Sequence, residues 1–139
     1  VNHSLYPTNL KVQEQRVVIG KNNPDCTQPY SSSLLNISAM SFGALSDRAV
    51  LALSSGAKLG GFSHNTGEGG ISEFHKNGGA DIVWNIGTAY FGCGKFGQNG
   101  VRVFDPDMFV ENVKHAKMVE IKLSQGAKVR CNSLAFICV

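Results

Sequence analysis

The sequence predicts an α/β domain built on a parallel sheet. Short apolar segments alternate with helix-like segments along much of the 139 residues. The helix-like segments carry capping signals, and the strand-like segments end in glycine and small polar residues. This alternation is typical of parallel strands that are joined by helical crossovers.

Four segments are predicted as strands because they are short, apolar and closed by turn residues. The first, LLNISAMS, is expected to be buried. The last, MVEIKLS, alternates apolar with charged side chains, as a strand with two different faces does. The predicted strands are 34–41, 62–65, 81–86 and 118–124.

Two helices are predicted, over residues 46–58 and 106–116. Ser46 is expected to be the N-cap of the first helix. Asp105 takes the cap position of the second, and Pro106 suits its first turn, where a backbone N–H is not needed. The residues expected to share one face of their helix are Ala49, Val50, Leu53 and Ala57 in the first helix, and Phe109, Val113 and Ala116 in the second.

Composition indicates an ordinary globular protein, with 42% hydrophobic and 17% charged residues. The net charge of +3 is small and its lysines and arginines are scattered, so no nucleic-acid interface is expected. No segment approaches the ~18 apolar residues of a membrane span, and no secretory signal opens the chain. The cysteines show neither CxxC spacing nor pairing with histidine, which predicts no metal site and favours a reducing compartment. They are Cys26, Cys93, Cys131 and Cys138.

Glycine and polar residues gather where each predicted strand ends, in AMSFG, HNTGEGG, WNIGTAYFG and KLSQGAK. Parallel α/β folds bind their ligands at this edge of the sheet. Ordinary turns also need glycine, asparagine and serine. The pattern alone therefore leaves both a ligand-binding edge and plain turns open.

Longer segments resemble the FMN-binding barrel domain of the glutamate synthases: LLNISAMSFGALS, GGFSHNTGEGGIS, DIVWNIGTAYFGC and VEIKLSQGAK. The resemblance covers residues 4–128 and extends to shorter family members that lack the glutaminase domain. It implies an α/β fold that is a partial (β/α)8 TIM barrel, about the first four β/α units. The chain would then divide into a lead-in at 1–33, the N-terminal half of the barrel at 34–128, and a tail at 129–139.

The tail reads VRCNSLAFICV where the family continues with a proline–glycine segment. A truncation, a frameshift or a retained intron would each produce such a departure. Because nothing upstream is patterned to receive it, the tail is expected to be poorly packed, and the last strand to have an open edge.

The resemblance implies an oxidoreductase that uses FMN to reduce 2-iminoglutarate, formed from 2-oxoglutarate and ammonia, to L-glutamate. Ammonia would be free or derived from glutamine, and electrons would come from ferredoxin or an NAD(P)H partner. An iron–sulfur cluster is possible in the full-length protein, with ligands outside this chain. The expected compartment is the cytoplasm or a plastid or other organellar stroma.

Two alternatives to this interpretation stay open. One is a different FMN-barrel oxidoreductase, and the other is a truncated, non-catalytic isoform that acts as a binding module. With about half of a barrel, the chain itself is expected to bind FMN weakly and to show no turnover.

The resemblance places FMN against the end of the first strand. Ser38, Ala39, Met40 and Ser41 would lie under the isoalloxazine ring, where small side chains let backbone amides reach the polar edge of a flavin. A strand end packed on a helix would select the same residues.

Lys122 lies in an otherwise apolar strand, an unfavourable place for an unpaired charge. In the barrel interpretation it shares the interior face with Glu120 and stabilises the anionic reduced form of FMN. The alternative is an internal ion pair with Glu120 or another strand. Gln125 would bind the cofactor at the same rim, or be a solvated loop amide.

Glu68 and Lys128 are the predicted catalytic residues. Among the glycines of NTGEGG, Glu68 would hydrogen-bond an ammonium ion or hold neighbouring loop amides; otherwise it is a solvated carboxylate. Lys128 matches the family lysine near the substrate carboxylates. His64 and His75 are predicted to be non-catalytic, and Trp84 to be a packing residue.

Overall fold

A computed structural model describes residues 16–123 and the backbone of 134–138. Its helices and strands follow one another in mixed order along the chain. They are β1 (Arg16–Ile19), β2 (Tyr30–Ser33), α1 (Asp47–Gly60), β3 (Ser63–Asn65), α2 (Glu73–Asn77), β4 (Asp81–Ile86), β5 (Gly94–Phe96), β6 (Arg102–Phe104), α3 (Pro106–Val113), β7 (Met118–Lys122) and β8 (Leu134–Cys138).

The central sheet has the strand order β3–β4–β7–β8. β3 pairs with β4 and β4 with β7, both in parallel, and Trp84 lies opposite Val119. Parallel neighbours need crossover connections, which α2 and α3 provide. The prediction of a mixed α/β fold on a parallel sheet is thereby confirmed for these strands.

β8 runs antiparallel to β7, from Met118 opposite Cys138 to Lys122 opposite Leu134. Two expectations were therefore wrong: that the sheet is parallel throughout, and that the edge of β7 is open. The apolar segment LAFIC has high strand propensity, and its backbone satisfies the N–H and C=O groups that an edge strand exposes.

The buried strand predicted at 34–41 was wrong in extent and in burial. Ile37 forms a single parallel bridge to His64. Leu34 and Leu35, expected to be inside, are 63% and 68% exposed. Side-chain hydrogen bonds to nearby backbone compete here with the strand ladder. They join Asn36 Nδ2 to the Ser33 carbonyl (2.7 Å) and the Leu35 N–H to Ser33 Oγ (3.2 Å).

α1 and α3 begin at the predicted caps. Ser46 Oγ accepts the Ala49 N–H at 3.2 Å, and α1 ends at Gly61, which has a φ of +66°. The Asp105 carboxylate accepts the Asp107 N–H at 3.0 Å. Each cap stabilises its helix by about 1 kcal/mol. In the described part of the chain, no helix has the length and apolar content to cross a membrane.

The hydrophobic core lies between the sheet and α3. Trp84, on β4, is fully buried and stacks on Phe109 of α3 with 5.5 Å between ring centroids. This confirms that Trp84 is a packing residue. Phe109, Val113 and Ala116, predicted from helical spacing, pack against the cluster of Trp84, Ile86, Cys93 and Val119.

Two small hairpins and the short α2 were not predicted. β1 pairs antiparallel with β2, and β5 with β6. Each of these strands has only three or four residues, too few for a clear hydrophobic period. The β5–β6 hairpin follows the carboxyl end of β4, and the guanidinium of Arg102 lies 4.7 Å from the centre of the Phe91 ring.

Candidate functional site

The sheet face opposite α3 carries polar side chains from three strands. Because side chains alternate along a strand, the residues between those that pack on the helices point to this face. Glu120 and Lys122 share it, as predicted. The polar residues of this face are Ser63 and Asn65 on β3, Asn85 on β4, and Glu120 and Lys122 on β7.

A cleft of about 400 Å³ opens on this polar face. Ser38 and Ala39, two of the four predicted cofactor residues, line it together with Asn65 and Glu120. The cleft thus brings the segment before α1 next to Asn65, the last residue of β3, and to Glu120 in the middle of β7. Asn65 lies at the carboxyl end of its strand, the edge where parallel sheets bind ligands.

Glu120 is held by two amide side chains. Asn65 Nδ2 donates to one carboxylate oxygen at 3.1 Å, and Asn85 Nδ2 donates to the other. Asn85 is only 3% exposed, and its Oδ1 has no hydrogen-bond partner among the described residues. A buried acceptor without a partner is unusual, and a donor from a ligand or a water would satisfy it.

Sequence reasoning missed Asn65 and Asn85. Each was part of a segment singled out as a strand end, but neither was considered as a site residue. For Asn85 the available signal was an amide inside a mostly apolar strand, a position that calls for a hydrogen-bond partner; β3 (SHN) gave no such signal for Asn65.

Glu68 and Lys122 form an ion pair. Glu68 lies in the glycine-rich loop after β3 and Lys122 at the end of β7, so the structure joins a predicted catalytic residue to a predicted cofactor residue. The expected alternative partner of Lys122 was Glu120 or another strand, whereas the observed partner comes from a loop. The Lys122 side chain is 27% exposed and that of Glu68 is 44% exposed, so the pair contributes at most about 1 kcal/mol to stability.

Glycines allow the loop after β3 to pack closely on Ser41. Gly67 has a φ of +64°, and a Cβ there would lie 2.9 Å from the Ser41 nitrogen. A Cβ on Gly69 would lie 2.5 Å from Ser41 Oγ. At least part of the space that these glycines leave open is therefore occupied by Ser41 of the same chain.

Met40 is held through both of its main-chain groups. Its N–H donates to the Asn65 carbonyl at 3.0 Å, and its carbonyl lies 2.9 Å from His75 Nε2. His75 and the neighbouring His64 are fully buried. Burial lowers the pKa of His75, and burial with the nearby His75 lowers that of His64 to about 4. Both rings are therefore neutral at pH 7.

Gln125 and Lys128 lie outside the described residues. Within the described ranges, no group of three or more histidine, cysteine, aspartate or glutamate side chains is placed to hold a metal ion.

A second cleft, of about 410 Å³, lies at the amino ends of β4 and β7. Tyr30 and Asp81 line it, and the tyrosine hydroxyl donates to the carboxylate at 3.1 Å. Burial, with the adjacent Asp81 charge, raises the pKa of Tyr30 to about 12. This end of the strands is not the one where parallel sheets bind their ligands.

Comparisons with known proteins identify the family of this chain from its sequence. The family model described as "Conserved region in glutamate synthase" matches residues 2–134. The chain is 46% identical over 115 residues to the glutamate synthase large subunit-like protein YerD of Bacillus subtilis (strain 168). The match covers 81% of this chain and 21% of that relative, so the chain spans about a fifth of the relative's length. No solved structure matches. The chain belongs to the glutamate synthase family.

Proposed function

We propose that this chain supplies the first half of an FMN-binding TIM barrel in an oxidoreductase that reduces 2-iminoglutarate to L-glutamate. The observation that carries the proposal is the cleft on the polar face of the parallel sheet, where Ser38 and Ala39 meet Asn65 of β3 and Glu120 of β7. Family membership supports the assignment, and the polar residues around the cleft make it a candidate site for the flavin.

The residues of this edge suit a flavin. Ser38 and Ala39 are exposed and small, so a flat ring can approach their backbone. The Asn85 Oδ1 atom offers a buried acceptor to a ligand N–H group. Lys122 supplies a positive charge that favours the anionic reduced form of a flavin. When bound, FMN would supply the hydride that reduces the imine carbon.

The charged residues would orient the groups around that chemistry. Glu68 holds the Lys122 ammonium at the edge of the sheet and offers its remaining acceptor capacity to an ammonium ion. Lys128 would bind the carboxylates of 2-oxoglutarate, and Gln125 would hydrogen-bond the cofactor at the rim. Met40 and Ser41 would complete the surface under the flavin ring.

Ammonia, free or released from glutamine, would have to reach this site. An electron donor would have to reduce the flavin there. Ferredoxin or an NAD(P)H partner is the proposed donor, through an iron–sulfur cluster held by residues other than these. Since the site described is about half of a barrel, we expect weak FMN binding by the 139-residue chain and no measurable turnover.

The test is a titration of the purified chain with FMN, followed by quenching of flavin fluorescence. Saturable binding is expected, and Ala39→Trp should abolish it by filling the cleft. Because Ala39 is exposed, this variant should keep the circular dichroism and melting temperature of the parent. Leu35→Trp, at an exposed position outside the residues that line the cleft, is the matched control and should bind FMN normally. No saturable binding by the parent, or equal effects of the two tryptophans, would contradict the proposal.

A further inference from the structure

Two fully buried histidines lie behind the cleft, on the helix side of the sheet. His64 belongs to β3 and His75 to α2, and their ring centroids are 5.1 Å apart. They differ in their contacts. Both ring nitrogens of His75 are engaged, whereas neither nitrogen of His64 has a partner in the described part of the chain.

The contacts of His75 fix its tautomer. The backbone N–H of Ser72 points at Nδ1 from 3.2 Å, and a backbone N–H can only donate. Nδ1 is therefore the acceptor, so the proton of the neutral ring is on Nε2. That Nε2–H donates to the Met40 carbonyl at 2.9 Å.

We infer that His75 is a positioning residue for the segment 38–41, which it holds through the Met40 carbonyl. The Asn65 carbonyl binds the N–H of the same residue, so Met40 is fixed between β3 and α2. Loss of the His75 contact leaves the segment attached to β3 but free to rotate at its carbonyl side. The cofactor part of this inference rests on the proposed function, because the same segment lines the cleft assigned to FMN.

A buried histidine can also serve packing alone, and the neighbouring His64 provides the matched control. The two rings share residue type, burial and surroundings, but only His75 bonds to the segment. His75→Leu and His64→Leu make the same change of side chain in the same core. His75→Gln keeps an amide N–H donor near the position of Nε2.

The first measurement is amide hydrogen exchange at Met40, referred to the amide of Val50, which bonds within α1. His75→Leu should accelerate exchange at Met40 about three- to tenfold relative to Val50. The reason is that opening of the segment then breaks one hydrogen bond fewer. His64→Leu should leave this ratio unchanged, and His75→Gln should restore most of it. The FMN dissociation constant should follow the same order among the variants.

Equal exchange ratios in the two leucine variants, or no rescue by glutamine, would overturn the inference. If His75→Leu does not fold, the ring ¹⁵N chemical shifts of the unmodified chain decide, because a proton on Nδ1 is incompatible with the inferred contact. Absence of FMN binding by the unmodified chain would instead count against the proposed function, and the exchange ratios would still judge the role of His75.

Discussion

The two faces of the central sheet are built from the same strands but have opposite chemistry. On the helix side, Trp84 and Val119 are buried against α3. On the other side, Asn85 and Glu120, their direct neighbours along β4 and β7, are polar and hydrogen-bonded to each other. One residue along a strand thus separates a packing surface from a candidate binding surface.

The comparison distinguishes the residues that stabilise the fold, on the helix side, from those proposed to bind a ligand, on the cleft side. Burial of apolar side chains supplies most of the folding free energy. The contacts of the Asn65 and Asn85 amides with Glu120, and the Glu68–Lys122 ion pair, add little net stability. Their polar groups lose hydrogen bonds to water when these contacts form. Substitutions on the helix side should therefore affect unfolding, and substitutions on the cleft side should affect binding.

The largest effect is expected for Trp84→Ala on the helix side. The substitution removes the fully buried ring that stacks on Phe109 and should lower the free energy of unfolding by about 3–5 kcal/mol. Urea denaturation followed by circular dichroism measures the loss. Leu59→Ala, on α1 with 90% of the residue exposed, is the control and should stay within about 0.5 kcal/mol of the parent. Similar losses in both would contradict the location of the core.

The second-largest effect is a loss of stability at acid pH that is caused by His64, whose ring is buried on the helix side of the sheet. Its pKa is about 4 in the folded chain, against an ordinary value of 6.5, because of burial and the nearby His75. Between these pH values the unfolded state binds more protons, so stability is fully present above pH 6.5 and falls as pH drops toward 4. The loss from this group is at most about 3 kcal/mol.

Urea denaturation at pH 7.5 and pH 4.5 tests this effect in the parent and in His64→Leu. The parent should lose more stability on acidification than the variant, since the variant has no ring to protonate at that position. At pH 7.5 the variant should be nearly as stable as the parent, because it also removes two buried nitrogens without partners. The same acid loss in both proteins would exclude His64 as its source.

On the cleft side, Lys122→Met should change the redox behaviour of bound FMN. Removing a charged hydrogen-bonding group near the reduced flavin weakens its binding by roughly 1.5–3 kcal/mol. For a two-electron couple this lowers the potential by about 30–60 mV. A spectroscopic redox titration with excess protein measures the shift. The substitution should change the free energy of unfolding by less than about 1 kcal/mol, because the Glu68–Lys122 pair is partly exposed.

Two other lysines serve as comparisons for Lys122. Lys117→Met, at an exposed position just before β7, should leave the potential unchanged. Lys128→Met should also leave it nearly unchanged but weaken binding of 2-oxoglutarate, because this lysine is proposed to contact the substrate carboxylates. If neither Lys122→Met nor Lys128→Met affects the potential or the binding of 2-oxoglutarate, both proposed roles are wrong.

The features predicted well from the sequence are those set by local chemistry. The caps at Ser46 and Asp105 act on N–H groups two or three residues away, so both helix starts could be predicted. β4 was predicted over the residues it occupies, because an apolar run closed by glycine needs no knowledge of its neighbours.

The features predicted poorly depend on residues that are distant in sequence. The burial of Leu34 and Leu35 depends on what covers them, and the pairing of β8 depends on a free edge of β7. The Glu68–Lys122 pair joins positions 54 residues apart. Ser38 and Ala39 were proposed by resemblance, and the structure adds the cleft that they share with Asn65 and Glu120.

The smallest net effect on stability is expected for the double variant Asn85→Leu, Glu120→Leu, which also separates the two faces most sharply. Asn85→Leu leaves one oxygen of the half-buried Glu120 carboxylate without its donor. It should lower the free energy of unfolding by about 1–3 kcal/mol. Adding Glu120→Leu removes the stranded acceptor, so the double variant should regain most of this loss, as apolar replacement of both partners generally does.

The FMN titration should give the opposite outcome for the same double variant. Glu120→Leu removes a carboxylate that lines the cleft, and Asn85→Leu removes the buried Oδ1 acceptor proposed for a ligand N–H group, so flavin affinity should fall at least tenfold and should not recover with stability. Urea denaturation and FMN titration of the two single variants and the double variant form a double-mutant cycle that measures both quantities. Recovery of FMN binding together with stability would show that this polar pair serves the fold rather than the ligand.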